Sequence, residues 1–390
     1  MRAGASPAVE IPAATRVDTT SWWVIALNFL LLVGLALPAV RRWFHGAGLV
    51  WPYLVGLAFA VAFATVPVAR MYALWRGVLD QPSARKVHVK ATPLLGGAAV
   101  YFAFAVTVLS NFSFSIELKG VALGATLVVM VGILDDVMDL PAWLKLLGQV
   151  FGALVAMAAG VVLHVVPAIW PGAAILNGAL TLLWFLTVTN AVQFLDGMDG
   201  LAAGLGAIAA AFFSIAALQT DQWYLMYLSA ALVGACLGFL PYNFCPGGAR
   251  IFLGDGGSSF IGFTLAGLAV MGVWAERDPV VAMVTPSLIL GVPLFDIAFV
   301  SIARVVKGRV HSVREWLAYT GKDHIHHRFE SLGLSRAESV MLIYFVSATL
   351  GLSAMLLESA STRIAVLVLI QAACLLAIIA VLEVVGRGRQ

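Results

Sequence analysis

Long runs of apolar residues, separated by short polar segments, make up most of this chain. A membrane-spanning helix needs about 20 mostly apolar residues, and lipid offers its backbone N–H and C=O groups no other partner, so each run is predicted to be a helix. The candidate spans lie near residues 22–40, 50–72, 93–111, 119–134, 143–166, 173–191, 200–219, 223–241, 257–274, 281–304, 337–357 and 362–385. The pattern predicts an all-α, polytopic transmembrane helical bundle of about 11–12 spans.

The composition agrees with a membrane protein. Hydrophobic residues make up 62% of the 390-residue chain and charged residues 11%, whereas a soluble domain is roughly 45–50% apolar and about 25% charged. The three cysteines, Cys236, Cys245 and Cys374, have no CxxC or paired spacing, so we expect neither a disulfide framework nor a zinc site. The net charge of +3 says little about partners, and we expect no nucleic acid among them.

The chain divides into a tail, a first apolar segment and a larger membrane domain. Residues 1–20 are polar and rich in Pro and Ala, which predicts a disordered tail. Residues 21–45 are predicted to form an accessory helix that either spans the membrane or lies along its interface. This segment fits the predicted orientation worst, because as a span it would place Arg41 and Arg42 on the outer side. Residues 50–390 contain the remaining spans and are predicted to form the functional domain.

Lysine and arginine are concentrated on one side of the predicted bundle, which the positive-inside rule makes the cytoplasmic side. An ionised Asp is costly in hydrocarbon, so an acid at a membrane edge is a functional candidate by default. The acids at or near the cytoplasmic face are Asp80, Asp135, Asp136, Asp139, Asp196, Asp199, Asp255, Asp296 and Asp323. Acids gathered on one face predict a cleft that holds a divalent cation and a phosphate.

The loop GILDDVMDLPAWLKLLGQ contains three of these acids. Asp135 and Asp136 are adjacent, Asp139 follows, and Lys145 lies further along. Neighbouring carboxylates repel one another and tolerate proximity best when a metal or a cation lies among them. Asp139 has a simpler alternative, because it could N-cap the helix that starts at Pro141. The adjacent pair is therefore the stronger functional candidate.

The segment NAVQFLDGMDGLAAG places Asp196 and Asp199 directly before glycines, which let the backbone turn sharply and approach a ligand closely. Asp199 could instead N-cap the helix that starts at Leu201. Asn190, upstream, could add a neutral oxygen ligand or a hydrogen-bonding group.

A third acidic segment, PYNFCPGGARIFLGDGGSSFIGF, places Asp255 among glycines. Gly254, Gly256 and Gly257 are expected to free backbone N–H groups for phosphate oxygens at the start of the next helix. Phe252 could stack on a base, or could be an ordinary membrane-facing side chain.

Two further loops are basic. The segment LDQPSARKVHVKATPLLGG precedes a predicted helix, whose N-terminus favours anions, although its charges could also be an ordinary positive flank. Its cations are Arg85, Lys86, His88 and Lys90. The segment DHIHHRF suits contact with a pyrophosphate. A histidine-rich metal site is the alternative. Carboxylates dominate the other loops, however, and their hard oxygen atoms favour Mg²⁺ or Mn²⁺.

Together these five loops resemble the polyprenyl-phosphate N-acetylhexosamine-1-phosphate transferases, which form glycosyltransferase family 4. The resemblance covers Asp80 to Leu334, with the motifs in order. It implies that residues 50–390 are a sugar-phosphate transferase domain with an active-site cleft at the cytoplasmic face. The implied Mg²⁺-dependent reaction moves N-acetylhexosamine 1-phosphate from a UDP-sugar to polyprenyl (undecaprenyl) phosphate and releases UMP. Such a product starts lipid-linked glycan synthesis for the cell envelope, as in cell-wall or O-antigen biosynthesis.

The resemblance also implies roles for individual residues. Asp255 resembles the principal Mg²⁺ ligand, with Asp196 close by. Asp135 and Asp136 resemble the pair that receives the lipid phosphate, one of them as a base, and Asp196 joins them as a catalytic candidate. Nucleotide-sugar contacts are expected from Asn190, Asp199, Phe252, Lys90, His324, His326, His327 and Arg328, the two consecutive histidines at the pyrophosphate. Phosphate contacts are expected from Arg85, Lys86, His88 and Lys145.

Two details indicate a branch of the family. Gln193 stands where the family usually has a second Asn, so a metal or sugar contact there is expected to be indirect. The segment HIHHRF is more similar to the N-acetylglucosamine branch than to the muramoyl-pentapeptide branch, which is the main alternative. A polytopic transporter is the alternative from another class, but transporters keep ionisable groups near the bilayer midplane. The sequence leaves open whether the protein forms a homodimer.

Overall fold

The computed structural model describes residues 22–81, 91–111, 115–274, 279–308, 310, 329, 333–357 and 360–386. Within these residues the chain forms helices and one very short β-ribbon. The helices are α1 (Trp22–Ala36), α2 (Pro38–Gly46), α3 (Val50–Arg76), α4 (Gly96–Asn111), α5 (Ile116–Met138), α6 (Ala142–Ala158), α7 (Ala173–Phe194), α8 (Leu201–Gln219), α9 (Trp223–Asn243), α10 (Gly254–Met271), α11 (Pro279–Ile289), α12 (Gly291–Val306), α13 (Arg336–Met355) and α14 (Thr362–Gly386). The ribbon consists of β1 (Leu79–Asp80) and β2 (Thr92–Pro93).

The predicted all-α, polytopic membrane fold is confirmed. Among the described helices, seven are long and apolar enough to cross a membrane, namely α3, α5, α7, α8, α9, α13 and the main part of α14. The number rises to nine if the bent pairs α1–α2 and α11–α12 each form one span. Helices α4 and α6 are apolar but shorter. Each predicted run therefore contains a helix, although not every helix is a full span.

Two of the predicted runs bend sharply. Helices α1 and α2 meet at 70°, and α11 and α12 meet at 83°. Pro38 is the first residue of α2, a position where a proline ring fits a new helix but cannot continue the previous one. An averaged hydropathy does not record such bends, although α2 carries Arg41, Arg42 and His45 and is far more polar than α1.

The predicted run 143–166 ends early as a helix, because α6 stops at Ala158. The following segment is apolar but not helical, and its backbone is bound by side chains of α7. Asn177 Oδ1 accepts hydrogen bonds from the N–H groups of Val165 and Val166, at 3.2 and 2.8 Å. Thr181 Oγ1 accepts a third, from Leu163. These partners allow an irregular backbone where apolar composition alone predicts a helix.

Helix α10 lies at the centre of the bundle, packed among α4, α5, α7, α8 and α9. Almost all of its residues are buried. Glycines bring its first turn very close to two neighbours: a Cβ on Gly97 would lie 2.2 Å from Gly257, and one on Gly132 would lie 2.5 Å from Gly256. This close approach sets the N-terminus of α10, and with it Asp255, directly against α4 and α5.

The β-ribbon was not predicted. Its strands are antiparallel, with Leu79 opposite Pro93 and Asp80 opposite Thr92. The N–H of Phe252 donates to Pro93 O at 2.8 Å, so the ribbon is also bonded to the segment before α10. The described residues that flank the basic segment 82–90 are thereby fixed next to the central helix.

The first apolar segment packs on the main bundle. Asn28 Nδ2 on α1 donates to Ala60 O on α3 at 3.1 Å, and Tyr53 Oη donates to Leu35 O at 3.2 Å. Arg41 on α2 is exposed. The predicted tail, residues 1–20, lies outside the described residues, and the division into an accessory helix and a main domain stays a prediction.

Candidate active site

A cavity of about 930 Å³ opens where the ends of several helices meet. Its volume falls in the range of small-molecule sites, roughly 300–1,000 Å³. The structure brings seven of the sequence-predicted site residues into its lining: Asp135, Asp136, Lys145, Asp196, Asp199, Phe252 and Asp255. Residues from segments more than a hundred positions apart in the chain therefore meet in one place.

Lys145 joins two of the acids. Its Nζ lies 2.7 Å from Asp135 Oδ2 and 2.9 Å from Asp255 Oδ2, so a cation on α6 bridges carboxylates of α5 and α10. Asp135 Oδ1 accepts a further hydrogen bond from the N–H of Leu140 at 2.7 Å. The sequence expectation that a cation lies among these acids is met by the protein's own lysine.

Asp136 binds the N-terminus of α10. Its oxygens accept hydrogen bonds from the N–H groups of Asp255, at 2.8 Å, and Gly256, at 3.2 Å. The expectation that this helix start offers its N–H groups to phosphate oxygens is therefore wrong for these two groups. The partial positive charge of the helix N-terminus is already matched by a carboxylate from α5. Gly254 has φ 76°, and a Cβ there would lie 2.6 Å from Asp136.

Asp196 differs from Asp135, Asp136 and Asp255, whose carboxylates all accept hydrogen bonds. Among the described residues, none donates a hydrogen bond to its carboxylate. Burial raises its pKa well above the usual value, and the negative charges of Asp255, Asp136 and Asp199 add to the shift. A site that disfavours an ionised carboxylate this strongly is stabilised by either a proton or a cation.

The cavity contains the kind of carboxylate oxygens that a divalent cation binds in proteins. Within the described part of the chain, no group of three or more His, Cys, Asp or Glu side chains forms a complete metal site. Mg²⁺ commonly takes only one or two carboxylates and completes its shell with phosphate oxygens and waters. Asp196 and Oδ1 of Asp255, which accepts no hydrogen bond among the described residues, are two carboxylate groups that would suit such an ion.

Asp199 holds the loop that precedes α10. Its Oδ2 accepts a hydrogen bond from the N–H of Ala249 at 2.8 Å. The alternative that Asp199 N-caps α8 is wrong, because the cap residue is Gly200, without a side-chain bond. Gly200 has φ 82°, and its N–H donates to Asn243 Oδ1 at 2.7 Å. Asp199 is thus turned toward the cavity loop and not along its own helix.

The N-cap alternative for Asp139 is also wrong. Asp139 ends α5 in a left-handed conformation, with φ 53°, and the N-cap of α6 is Pro141. A left-handed residue ends a helix, and Asp tolerates this conformation better than most residues. Asp139 lines the cavity instead.

Asn190 is placed differently from the expectation. It does not line the cavity, and its Nδ2 donates to Gln149 Oε1 at 2.6 Å and to Leu186 O at 2.8 Å. Gln193 Nε2 donates to Asp255 Oδ2 at 2.7 Å, so the residue that departs from the family pattern contacts the predicted metal ligand.

The two predicted basic motifs lie outside the described residues: Arg85, Lys86, His88, Lys90, His324, His326, His327 and Arg328. Their roles stay predictions.

Sequence reasoning assigned no specific site role to several cavity residues. Arg336, Asn243, Asp80 and Gln81 line the cavity. Asn243 could have been found, because it is an amide at the very end of a long apolar run, as Asn190 is. Arg336 gives a weaker signal, since it is one of many cations on the side that the sequence predicts to be cytoplasmic.

Comparison with known proteins identifies the family. Residues 118–273 match the model of glycosyl transferase family 4. A probable undecaprenyl-phosphate N-acetylglucosaminyl 1-phosphate transferase of Bacillus subtilis (strain 168) is 35% identical over 314 residues, which cover 78% of this chain and 85% of the relative. The chain belongs to glycosyl transferase family 4.

Relatives from two branches of the family are similar to this chain. A decaprenyl-phosphate N-acetylglucosaminephosphotransferase of Mycobacterium tuberculosis (strain ATCC 25618 / H37Rv) is 35% identical over 327 residues, covering 75% of this chain and 78% of the relative. A phospho-N-acetylmuramoyl-pentapeptide-transferase of Desulforudis audaxviator (strain MP104C) is 32% identical over 351 residues, covering 77% and 98%. The predicted family and its N-acetylglucosamine-1-phosphate branch are confirmed, and the chain is an integral membrane transferase.

Proposed function

We propose that this family 4 transferase moves N-acetylglucosamine 1-phosphate from UDP-N-acetylglucosamine to undecaprenyl phosphate or a similar polyprenyl phosphate. One observation carries the proposal: carboxylates of α5, the α7–α8 turn and α10 meet Lys145 in one cavity at the ends of apolar helices. The relatives named for N-acetylglucosamine phosphate transfer support the choice of sugar.

The reaction forms one phosphoanhydride and breaks another. A phosphate oxygen of the acceptor lipid attacks the sugar-bound phosphorus of the donor, the bond to UMP breaks, and UMP leaves with the bond electrons. The products are polyprenyl-diphosphate N-acetylglucosamine and UMP. Both substrates are anionic, so the chemistry depends mainly on alignment and on neutralising charge.

The residues of the cavity suit these tasks. Mg²⁺, or Mn²⁺, held by Asp196 and Asp255 with the donor phosphates, would neutralise charge on the pyrophosphate. Lys145 adds a fixed cation next to Asp135, where the acceptor phosphate is proposed to bind. Asp136 holds the first turn of α10 in place and thereby positions Asp255. Asp199 and Phe252 are proposed to hold the uracil.

The location of the cavity suits a reaction between two phases. The acceptor is a lipid and the donor is dissolved in water, so the site has to open at a membrane boundary. We place this boundary at the cytoplasmic face, in line with the distribution of Lys and Arg. The product would start a lipid-linked glycan of the cell envelope.

A donor panel tests the proposal. The purified full-length protein is incubated with Mg²⁺, undecaprenyl phosphate and either UDP-N-acetylglucosamine, UDP-N-acetylgalactosamine or UDP-N-acetylmuramoyl-pentapeptide. We expect UMP and a sugar-linked lipid in equal amounts from UDP-N-acetylglucosamine, loss of both with EDTA, and recovery with added Mg²⁺. Turnover of the muramoyl-pentapeptide donor alone would contradict the proposed sugar, and turnover unaffected by EDTA would contradict the proposed cation.

A further inference from the structure

Behind the cavity, side-chain amides form a continuous chain that ends on Asp255. Asn190 Nδ2 donates to Gln149 Oε1 at 2.6 Å, and Gln149 Nε2 donates to Gln193 Oε1 at 3.4 Å. Gln193 Nε2 then donates to Asp255 Oδ2 at 2.7 Å. The chain links α6, α7 and α10, and its last bond is the charge-assisted one, which is the strongest kind.

The two ends of the chain fix the direction of every amide in it. A carboxylate only accepts hydrogen bonds, so Gln193 has to present its NH₂ group to Asp255 and its oxygen to Gln149. Gln149 then has to present its NH₂ group to Gln193 and its oxygen to Asn190. At the far end, Asn190 Nδ2 also donates to the backbone oxygen of Leu186 at 2.8 Å. Reversing any one amide would set two donors or two acceptors against each other.

Gln149 is the central member of this chain and lies outside the lining of the main cavity. Its side chain is only 5% exposed. It borders a separate small cavity with Gln193, Asp255 and Ser259. The hydrogen-bonded route from Gln149 to Asp255 runs through Gln193. A buried amide also loses stability when its partners are removed, so a specific effect has to be separated from a general one.

Gln193 is the residue that makes the link possible. The side chain of Gln193 contacts Gln149 and Asp255 at the same time. Together with Lys145, it occupies Oδ2 of Asp255. Oδ1 of Asp255 has no donor in the described part of the chain and stays available.

We propose that Gln149 is a positioning residue, which fixes Asp255 through Gln193 so that Oδ1 of Asp255 is presented to the divalent cation. The proposal rests on the proposed function, because it needs a cation at Asp255. Residues that orient metal ligands in this way typically contribute about 10- to 100-fold to metal affinity or activity.

Two substitutions of Gln149 test this role, and a second buried amide gives the control. Gln149→Leu removes both hydrogen bonds. Gln149→Met has a similar length and also removes both hydrogen bonds, and it keeps the test open if the Leu variant does not fold. Asn177→Leu removes a buried amide of α7 that binds only the backbone near Val166.

Two measurements are made on the purified full-length proteins. Mn²⁺ binding in the presence of UMP is followed by electron paramagnetic resonance, and the rate of UMP release is recorded as a function of Mg²⁺ concentration. We expect both Gln149 variants to weaken Mn²⁺ binding and to raise the half-saturating Mg²⁺ concentration by roughly 10- to 100-fold. The KM for polyprenyl phosphate should change little. Asn177→Leu should lower the melting temperature without changing either metal measurement.

The outcomes separate this role from the proposed reaction. Gln149 variants whose metal measurements match those of Asn177→Leu would overturn the positioning role. Wild-type protein that binds Mn²⁺ but releases no UMP would contradict the proposed reaction, while the Mn²⁺ measurement would still decide the role of Gln149. Wild-type protein that binds no Mn²⁺ would overturn both.

A double substitution tests whether the amides act in series. If Asn190 acts only through Gln149, then Asn190→Leu combined with Gln149→Leu should weaken Mn²⁺ binding no more than Gln149→Leu alone. Additive losses would mean that Asn190 acts on the site independently, for example by contacting the donor, and would overturn the serial chain.

Discussion

The carboxylate of Asp136 accepts a hydrogen bond of 2.8 Å from the backbone N–H of Asp255, which lies 119 residues later in the chain. Asp136 and its neighbour Asp135 therefore have different contacts. Asp136 binds the backbone at the start of α10, whereas Asp135 pairs with Lys145. Two acids that are equivalent in the sequence thus support the site in two ways, one through the position of a helix and the other through a bound cation.

Asp136→Ala should lower both stability and turnover. The substitution leaves the N–H groups of Asp255 and Gly256 without their acceptor, and the loss of a helix cap costs about 0.5–2 kcal/mol. Asp136→Asn keeps one acceptor oxygen, so it should unfold at a higher temperature than the Ala variant, although its turnover should also fall. Thermal unfolding and UMP release, measured on the same preparations, check this order. An Asn variant less stable than the Ala variant would contradict the capping role.

Lys145→Gln should reduce kcat by at least roughly 100-fold, because Asp135 and Asp255 would lose the cation between them and repel each other. Lys145→Arg should recover only part of the rate. The guanidinium is larger than the ammonium group and holds its donors in a rigid plane. It would therefore push apart the two carboxylates that a single Nζ now contacts on two helices. Steady-state rates at saturating substrates give the test. Full activity of the Gln variant would show that Lys145 is needed only for packing.

Asp255→Asn should abolish turnover in a protein that still folds. The amide keeps the size of the side chain and an oxygen for Lys145 or Gln193, but it removes the charge that a divalent cation requires. The matched control is Asp221→Asn, which makes the same change at an exposed residue with φ 55°, a conformation that Asn also tolerates. UMP release near the wild-type rate at high Mg²⁺ would show that Asp255 does not bind the cation.

The sequence predicts much of this fold because lipid restricts a spanning segment to helix. Hydropathy alone does not locate the bend at Pro38, although the proline itself indicates that a helix can end there, and it does not locate the end of α6 at Ala158, where both sides are apolar. The irregular segment after α6 depends on hydrogen bonds to Asn177 and Thr181. These bonds are known only once the segment is packed against α7. Hydropathy measures which solvent a residue prefers, but not which partner its backbone has.

The acids of the site could be predicted because an acid at a membrane edge is rare and costly. Their individual contacts could not. Asp136 binds a helix N-terminus only because glycines let α5 and α10 approach closely. Asn190 resembles a ligand in the sequence, yet its amide belongs to a chain behind the cavity. In both cases the contact depends on a residue from a distant segment, so the spacing of nearby residues in the sequence does not predict it.

Asp196 should make the metal-free protein less stable as the pH rises. Burial and the neighbouring carboxylates hold the pKa of Asp196 well above its usual value, whereas the pKa in the unfolded chain is about 3.9. The folded state then binds the proton more tightly than the unfolded state. The stability from this proton is fully present below about pH 4 and is lost as the pH rises through the higher pKa of the folded protein.

Asp196→Asn should remove this pH dependence and stop turnover at the same time. In EDTA at pH 8, the Asn variant should unfold at a higher temperature than wild type, because it has no charge to bury. Added Mg²⁺ should raise the melting temperature of wild type but not that of the variant, since the cation takes the place of the proton. Asp221→Asn serves as the control and should follow the wild-type curve. Melting temperatures in EDTA that do not differ between wild type and Asp196→Asn at any pH would show that Asp196 is not the unneutralised charge of the site.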